Sequence, residues 1–302
     1  MRRCIRFLTI VTLLFCSPTS SNLLAQRPRT VSEEITGLVF KAPPNTVIWI
    51  DRLRYGKVGD EGTLIVKNLR PGSHMLRARL KGKREVTKTF SYLQGPSQEV
   101  QIRLTAPAEK SELHFQMAED LREAGKHPEA IKEYRQAMAL RKSGYAAARI
   151  GLARSLMATE KYEDAVVQAR GAVRDSGGRN GEAYTVIANT RRFQGLYDQA
   201  IIGYETALEQ AHGFSPEAHT GLALTFQDRN RAADAIKHFR IAAEQSNDTE
   251  PVIYFLMGGA LEREMRMKEA LAAYEKFLEL DPNGRQSTAV RSIIKQLKRS
   301  AQ

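Results

Sequence analysis

The feature that most constrains this chain is a pattern of small residues that returns every 35 positions. Its anchoring residues are Ala130, Ala165, Ala200, Ala235 and Ala270, and a ring or a small residue follows each of them four positions later. A fixed period of this length is typical of a solenoid, in which one unit is a supersecondary element that cannot bury its apolar face alone. The pattern therefore predicts a stack of five helix hairpins.

When each anchoring alanine is numbered position 20 of its unit, a second small residue recurs at position 8: Ala118, Ala153, Ala188, Ala223 and Gly258. Position 8 faces positions 20 and 27 across the hairpin, where two helices approach closely only if their side chains are small. With bulky residues at position 24, the pattern resembles the tetratricopeptide repeat family. The resemblance implies a helical domain over 107–302, with repeats at about 111–144, 146–179, 181–214, 216–249 and 251–284.

A last helix is expected at about 287–299. Ile293, Ile294 and Leu297 share one stripe of it, and basic residues fill its final turns. A solenoid needs such a helix to cover its exposed end, and the basic residues complement the negative end of the helix dipole. A membrane-surface helix is the alternative, which the narrow apolar stripe disfavours.

A different pattern occupies residues 26–106, where short runs alternate between apolar and polar residues. Leu76, Ala78 and Leu80 alternate with basic residues, and a period of two with one polar face is typical of strands on a half-buried sheet. Runs of this kind predict six strands, at 36–40, 46–51, 62–67, 73–80, 85–90 and 99–104. We therefore expect a multi-domain protein with a small antiparallel β-sandwich followed by an all-α solenoid.

The residue order of this β-segment is similar to that of a PEGA-type domain, a small β-module common in bacterial surface and envelope proteins. The resemblance rests on Val47-Ile48-Trp49-Ile50-Asp51, Gly62-Thr63, Leu69-Arg70-Pro71-Gly72 and Lys81-Gly82. It covers about residues 35–105, with two departures. Arg52 stands where that family usually has glycine, and the eponymous Pro-Glu-Gly-Ala is reduced to Pro71-Gly72.

Residues 1–25 have the layout of a secretory signal peptide, with arginines before an apolar run at 7–16 and small polar residues after it. Cleavage is expected after Ala25, with a cut after Ser21 as the alternative. A retained anchor is disfavoured, because a helix of about ten residues spans about 15 Å against a hydrocarbon core of about 30 Å. We therefore expect export to the periplasm or cell surface of a bacterium. Cleavage removes both cysteines of the chain, so the mature protein can form no disulfide.

The formal net charge of +12 is concentrated in the β-segment, where residues 26–107 hold 15 Lys or Arg and 7 Asp or Glu. A basic cluster follows one predicted strand and its turn: Arg77, Arg79, Lys81, Lys83, Arg84 and Lys88. Such a patch attracts anionic envelope polymer, lipid headgroups or an acidic protein. The same charges can instead serve solubility and protect a sheet edge. No nucleic-acid partner is expected, because export separates the protein from nucleic acid and Trp49 is the only tryptophan available for stacking.

In the tetratricopeptide family, positions 2, 5, 9, 12 and 13 face a concave groove. The resemblance therefore implies a partner-binding groove lined by Arg122, Arg154, Asn189, Arg192, Phe193, Gln227, Phe255 and Arg263, together with Phe115, Glu119, Ile150, Met157, Thr185 and Thr220. Arginine and asparagine hold carboxylates or backbone amides while rings fill pockets, which suits an extended peptide. The same residues are also compatible with an ordinary solvated helix surface.

Enzyme signatures are scarce in this sequence. The run 213–217, Gly-Phe-Ser-Pro-Glu, begins like a nucleophile elbow, but it lacks the closing glycine and falls between two helices. The six histidines show no metal-ligand spacing, and no phosphate-binding glycine loop occurs. We therefore expect no catalytic residue, no metal and no cofactor. An enzyme with an undetected pocket of convergent titratable groups stays open as an alternative.

The sequence therefore predicts an exported, non-enzymatic protein–protein interaction scaffold of the bacterial cell envelope, which binds a protein or peptide in its concave groove. The alternative is a binder of envelope glycan or anionic polymer that acts through the basic β-domain. The two functions differ in their dependence on salt, because exposed charges are screened within about 10 Å at 0.1 M salt.

Overall fold

The computed structural model describes residues 37–300 apart from 52, 68, 94–96, 106–108 and 142. The predicted signal peptide and the predicted boundary between the two domains lie outside the described residues. The described part of the β-domain has seven strands: β1 (Leu38–Lys41), β2 (Val47–Ile50), β3 (Leu53–Lys57), β4 (Thr63–Val66), β5 (Gly72–Arg79), β6 (Val86–Tyr92) and β7 (Gln98–Gln101).

The strands form two sheets, in the orders β4-β1-β7 and β3-β2-β5-β6, so the predicted sandwich is confirmed. Two details differ from the prediction. Strand β3 was not expected, and it forms because Asp51 takes a left-handed conformation with φ 49° and turns the chain back against β2. Strand β7 pairs with β1 in parallel rather than antiparallel, because it reaches β1 by a crossover from the other sheet.

The two faces of the four-stranded sheet have different roles. Ile48, Ile50 and Leu76 are fully buried between the two sheets, which gives the β-domain its core. The opposite face carries Trp49, which pairs across the strands with Arg77. Because successive side chains on a strand point to opposite faces, the alternation of the sequence separates this outer face from the core.

Eleven helices follow in the described residues: α1 (Lys110–Glu123), α2 (His127–Ala139), α3 (Ala146–Ala158), α4 (Tyr162–Asp175), α5 (Gly181–Phe193), α6 (Tyr197–Gln210), α7 (Pro216–Asp228), α8 (Ala232–Gln245), α9 (Pro251–Arg263), α10 (Met267–Leu280) and α11 (Ser287–Ser300). They form five hairpins and one final helix, which confirms the predicted solenoid. No helix in the described ranges is long and apolar enough to cross a membrane.

The small residues pack where the two helices of each hairpin meet. All five anchoring alanines are fully buried, and so are the alanines at position 8 of the first four repeats. Gly258 takes this place in the fifth repeat and is also buried. Side chains of this size allow the helix backbones to approach closely, so the sequence pattern determines the hairpin geometry.

The loops between repeats turn through left-handed backbone conformations. Three of these loops contain two consecutive residues with positive φ: Gly177 and Gly178, His212 and Gly213, and Asn247 and Asp248. A left-handed backbone costs about 1–2 kcal/mol for a residue with a Cβ atom, and Gly, Asn and Asp tolerate it best. These left-handed turns carry the chain from one hairpin to the next.

The final helix α11 covers the end of the stack, as predicted. The hydroxyl of Ser287 donates to the carbonyl of Asp281 at 2.6 Å and links the helix to the preceding repeat. Val290 and Leu297 are buried in the core of the last repeats.

Neighbouring repeats are matched in volume where position 24 of one repeat meets position 6 of the next. The ring of Tyr134 lies over Gly151, and a Cβ atom at this glycine would overlap the ring. Where position 24 is Ala169, position 6 of the following repeat is Val186, and both side chains are fully buried. At the junctions after the first and the third repeat a ring thus lies over a glycine, Tyr134 over Gly151 and Tyr204 over Gly221.

Replacing Gly151 with alanine is expected to lower the free energy of unfolding by about 1–3 kcal/mol, because overpacking displaces the Tyr134 ring. Gly259→Ala is the matched control, since the nearest atom to its new Cβ lies 3.8 Å away. The control should stabilise the protein by up to about 1 kcal/mol through helix propensity. Urea denaturation measures both changes, and effects of the same sign would contradict the volume match.

A pair of histidines lies inside the fourth repeat. The Nδ1 atoms of His219 in α7 and His238 in α8 are 3.0 Å apart, and the two rings stack. Burial and the neighbouring His238 lower the pKa of His219 to about 4. Burial also lowers the pKa of His238, so both rings are neutral at pH 7 in the folded protein.

This pair makes stability depend on pH. The unfolded chain binds a proton at His219 near pH 6.5, whereas the folded protein binds it only near pH 4. The stabilising contribution is therefore complete above pH 6.5 and is lost as the pH falls from 6.5 to 4. We expect the free energy of unfolding to fall by roughly 2 kcal/mol between pH 7 and pH 4.5. Denaturant melts at both pH values should show a smaller fall for His219→Gln, and an equal fall would exclude this pair as the cause.

Candidate functional site

Hydrogen bonds to the backbone hold the β-domain against the first helix of the solenoid. Gln116 of α1 donates to the carbonyl of Lys83 at 2.6 Å and accepts from the amide of Gly82 at 3.1 Å. The carboxylate of Glu112 accepts from the amide of Glu85 at 2.7 Å. These backbone groups belong to the segment between β5 and β6, so α1 satisfies polar groups that burial would otherwise leave unpaired.

A buried ion network lies beside this contact. Arg79 of β5 donates to Glu85 at 2.8 Å and to Glu119 of α1 at 3.3 Å. Glu119 also accepts from Arg122 and from the hydroxyl of Tyr134. Burial alone would raise the pKa of Glu119, but Arg122 and Arg79 outweigh burial and lower it to about 2. Glu119 is therefore an anion at neutral pH, and its ion pair with Arg79 connects the first repeat to the β-domain.

The β-domain has a second contact at the end of the fourth repeat. Asn247 donates to the hydroxyl of Tyr55 in β3 at 2.8 Å. Arg70 forms an exposed ion pair with Glu244 at 3.2 Å, and such pairs contribute at most about 1 kcal/mol. Because the two contacts involve repeats one and four, the β-domain crosses the face formed by the first helices of the repeats.

A cleft of about 240 Å³ lies between the β-domain and this face. Trp49, Asp51, Leu53 and Arg77 line it from the β-domain. The helical side is lined by Phe115, Glu119, Arg122, Ala147, Ile150, Gly151, Arg154, Glu182, Thr185 and residues 214–217. The outer face of the four-stranded sheet and the concave face of the solenoid thus form opposite walls of one site.

Arg154 organises the helical wall of the cleft. Its guanidinium donates to Glu182 at 2.6 Å and to Glu217 at 2.8 Å, which joins the second repeat to the third and fourth. Burial alone would lower the pKa of Arg154, but Glu217 and Glu182 raise it. Asn189 donates to Glu217 at 3.2 Å. The arginine is therefore neutralised within the protein and is not free to pair with a ligand anion.

The predicted groove residues divide into those that line the cleft and those that do not. Six of them line it: Phe115, Glu119, Arg122, Ile150, Arg154 and Thr185. Asn189 borders it through its bond to Glu217.

The other predicted groove residues lie outside the cleft lining. Arg192 pairs with Asp228 at 3.1 Å and its guanidinium lies 4.7 Å from the ring of Phe193. Phe255 packs against the aromatic rings of α10. The remaining members lie along the first helices of the repeats: Met157, Thr220, Gln227 and Arg263.

The predicted basic cluster does not form one exposed patch. Arg77 lines the cleft, and Arg79 is only 5% exposed in the contact with α1. The solenoid covers this part of the sheet, which the alternation of the strand alone does not reveal. Lys88 is half-buried and donates to the carbonyl of Gln101 at 2.8 Å. The exposed members are Lys81, Lys83 and Arg84.

Sequence reasoning missed part of the site. Trp49 was placed in the PEGA-like run and weighed only for stacking on bases, Phe214 and Glu217 were considered only within the run 213–217, and Glu182 was not predicted. One signal was available for Trp49, because a tryptophan on the outer, arginine-rich face of a strand indicates that something covers this face. The two glutamates also carry a signal, since each occupies position 2 of its repeat, one of the positions that face the groove in the family. No group of three or more metal-ligating side chains converges anywhere in the described residues.

Comparison with known families decides the nature of the helical part. Two family models for the tetratricopeptide repeat match the chain, one at residues 121–176 and the other at 185–251 and 220–285. Together the matches span slightly more than half of the chain. This chain is a tetratricopeptide-repeat protein. No curated protein sequence matches it.

Solved structures of similar fold agree with this assignment. TTC0263 from Thermus thermophilus, a thermophilic TPR protein, is 19% identical with a TM-score of 0.52, and the match covers 62% of this chain and 98% of that one. PilF of Pseudomonas aeruginosa is 16% identical with a TM-score of 0.52, covering 63% and 87% of the two chains. A chain of the APC/C hetero-tetramer Cut9–Hcn1 is 16% identical with a TM-score of 0.55, covering 64% and 37%. At identities of 16–19%, these similarities establish only the fold of this tetratricopeptide-repeat protein.

The buried ion network predicts how firmly the β-domain is held. Glu119→Gln removes the charge that faces Arg79, and breaking a buried pair should lower the free energy of unfolding by about 3 kcal/mol. Arg54→Gln is the matched control in the same interface, because its pair with Glu123 at 3.7 Å is largely exposed and should contribute less than about 1 kcal/mol.

Denaturant melts measure the loss in free energy of unfolding for each variant. Amide hydrogen exchange at residues 81–85 shows whether the segment between β5 and β6 has separated from α1. Equal losses in both variants, or unchanged exchange in Glu119→Gln, would contradict the role of the network.

Proposed function

We propose that this tetratricopeptide-repeat protein is a non-enzymatic interaction scaffold that binds a polypeptide segment in the cleft between its β-domain and its first four repeats. The cleft itself carries the proposal, because both domains supply its walls and its lining combines rings with a few charged groups. Ligand sites occur preferentially at domain interfaces, where apolar surface provides contact and placed polar groups determine orientation.

The size of the cleft favours a segment of a larger chain. Its volume of about 240 Å³ is below the roughly 300–1,000 Å³ of sites that enclose a small molecule. A polypeptide can place one or two side chains in the cleft and continue along the first helices of the repeats. Phe193, which is 54% exposed, offers a further contact on this path. Rings and arginines are the residue types that dominate binding energy at protein interfaces.

We also propose that the protein is exported to the bacterial cell envelope and that its β-domain is a PEGA-like module. The signal-peptide layout of residues 1–25 supports export. The PEGA resemblance is supported by the run 47–51 and by the Pro71-Gly72 turn, and a small two-sheet domain is compatible with it. In this arrangement the β-domain acts as a wall of the binding cleft.

A second candidate function is binding of anionic envelope polymer or lipid headgroups. The observation that favours it is the exposure of Lys81, Lys83 and Arg84 beside one another in the β5–β6 turn. A cluster of one sign raises the local concentration of opposite charge. Such binding depends steeply on salt, whereas capture in a partly desolvated cleft does not.

The test compares two variants that add the same ring in different places. Ala147 is an exposed residue that lines the cleft, so Ala147→Phe should fill the cleft without disturbing the core. Ala139→Phe adds the same ring at the end of α2, outside the cleft lining, and serves as the control. The bait is the chain from residue 26, used in capture from solubilised bacterial envelope at low and high salt.

We expect Ala147→Phe to reduce the captured partner at least tenfold at both salts, and Ala139→Phe to match the unmodified bait. Capture that survives Ala147→Phe would remove the cleft from the proposal. If Ala147→Phe still captured a partner at low salt and lost it at high salt, the polymer-binding function would be favoured.

A further inference from the structure

One guanidinium in the cleft forms no ion pair with any residue that the structure describes. Arg77 lines the cleft from β5 and lies over the ring of Trp49, 4.4 Å from its centroid. The two residues are direct cross-strand partners, so the strand register holds the stack in place. None of the ion pairs found among the described residues includes Arg77, and its buried Nε atom has no hydrogen-bond partner.

The acids of the cleft are already bound to other groups. Asp51 accepts from the His74 ring at 2.5 Å and from the amide of Met75 at 2.9 Å, both in its own domain. Three further acids hold arginines of the helical wall: Glu119, Glu182 and Glu217. Among the described residues of the lining, Arg77 is therefore the arginine that no carboxylate of the cleft pairs with.

The charge balance selects the kind of anion that can pair with Arg77. The described lining holds three arginines and four acids, and because their repulsion grows with the charge of the ligand, it penalises a doubly charged phosphate more than a singly charged carboxylate. A single carboxylate matches one guanidinium in charge, and the planar fork of arginine can bind both of its oxygens. The Arg77 guanidinium lies over the face of Trp49, so its terminal nitrogens are held at the cleft by the ring beneath them.

We infer that Arg77 anchors a carboxylate of the bound segment, so that the β-domain and not the repeats supplies the residue that determines specificity. The inference rests on the proposed binding of a segment in the cleft and adds the chemistry that the cleft selects. The carboxylate can belong to an Asp or Glu side chain or to a chain terminus, since both present the same group to the guanidinium.

Trp49 provides a direct readout, because it is the only tryptophan of the chain. Three acetylated tetrapeptides serve as probes. The first, Ala-Asp-Ala-Leu-amide, carries a side-chain carboxylate, and the second, Ala-Asn-Ala-Leu-amide, is its neutral isostere. The third, Ala-Ala-Ala-Leu with a free terminus, carries the terminal carboxylate. We expect a saturable change in Trp49 fluorescence with the first or the third probe, and binding of the neutral probe should be about 10- to 100-fold weaker.

Two arginine variants of equal net charge separate a specific anchor from general attraction. Arg77→Gln should weaken binding of the carboxylate probe about 10- to 100-fold, so that its affinity equals that of the neutral probe. Arg84→Gln removes an exposed cation of the β5–β6 turn and should leave the binding unchanged. Calorimetry measures the dissociation constants of the probes without relying on Trp49. This matters because the baseline emission of Trp49 changes when Arg77 is replaced.

The outcomes distinguish this inference from the function on which it rests. If Ala147→Phe abolishes the response while Arg77→Gln does not, the cleft binds peptide but Arg77 is not its anchor, and the inference is overturned alone. If Ala147→Phe leaves the response intact, the binding lies outside the cleft, and both proposals fall. Binding of the Asn probe equal to that of both carboxylate probes, or no response to either carboxylate, also overturns the anchor, and this comparison needs no variant.

Discussion

The close approach of helices across small side chains is the constraint on which this structure depends. Buried alanines or, at Gly258, a glycine at two facing positions let the helices of each hairpin approach closely. Repetition of the same contact at a fixed period stacks the hairpins in one direction, so their first helices share one face. The match between Tyr134 and Gly151 extends the rule to the junction between repeats. The concave face therefore follows from the size of side chains that never contact a ligand.

The β-domain changes the character of that face. An open groove would bind a partner through repeats alone, as the concave positions of the family imply. Here the buried pair of Arg79 and Glu119 at one end, and the bond between Asn247 and Tyr55 at the other, hold the sheet across it. Removing either partner would leave the other charge buried and unpaired, so the pair resists separation of the two domains. The result is a bounded cleft whose two walls come from the β-domain and the solenoid.

The electrostatics of the cleft assign different roles to its arginines. Arg154 bridges two carboxylates and connects three repeats, while Arg122 shares Glu119 with Arg79. Both are structural cations, although they occupy positions that face the groove. Arg77 differs from them, because it stacks on a ring and meets no carboxylate of the described chain. An arginine in a predicted groove is therefore informative about binding only after its internal partners are known.

Much of the fold was readable from residue order alone. The five hairpins, the last helix and the two-sheet β-domain follow from periods of 35 and two, which depend on local geometry and on side-chain size. The concave positions of Arg122 and Arg154 were implied by the resemblance to the tetratricopeptide family, and both residues line the cleft. The cleft was not readable, because it depends on where the outer face of one sheet meets a helix distant in sequence. Strand alternation predicted that Arg79 would point away from the sandwich core, but whether water or α1 lay on that side was decided by long-range packing. Local periodicity determines which face a side chain occupies, and only tertiary contacts determine what that face meets.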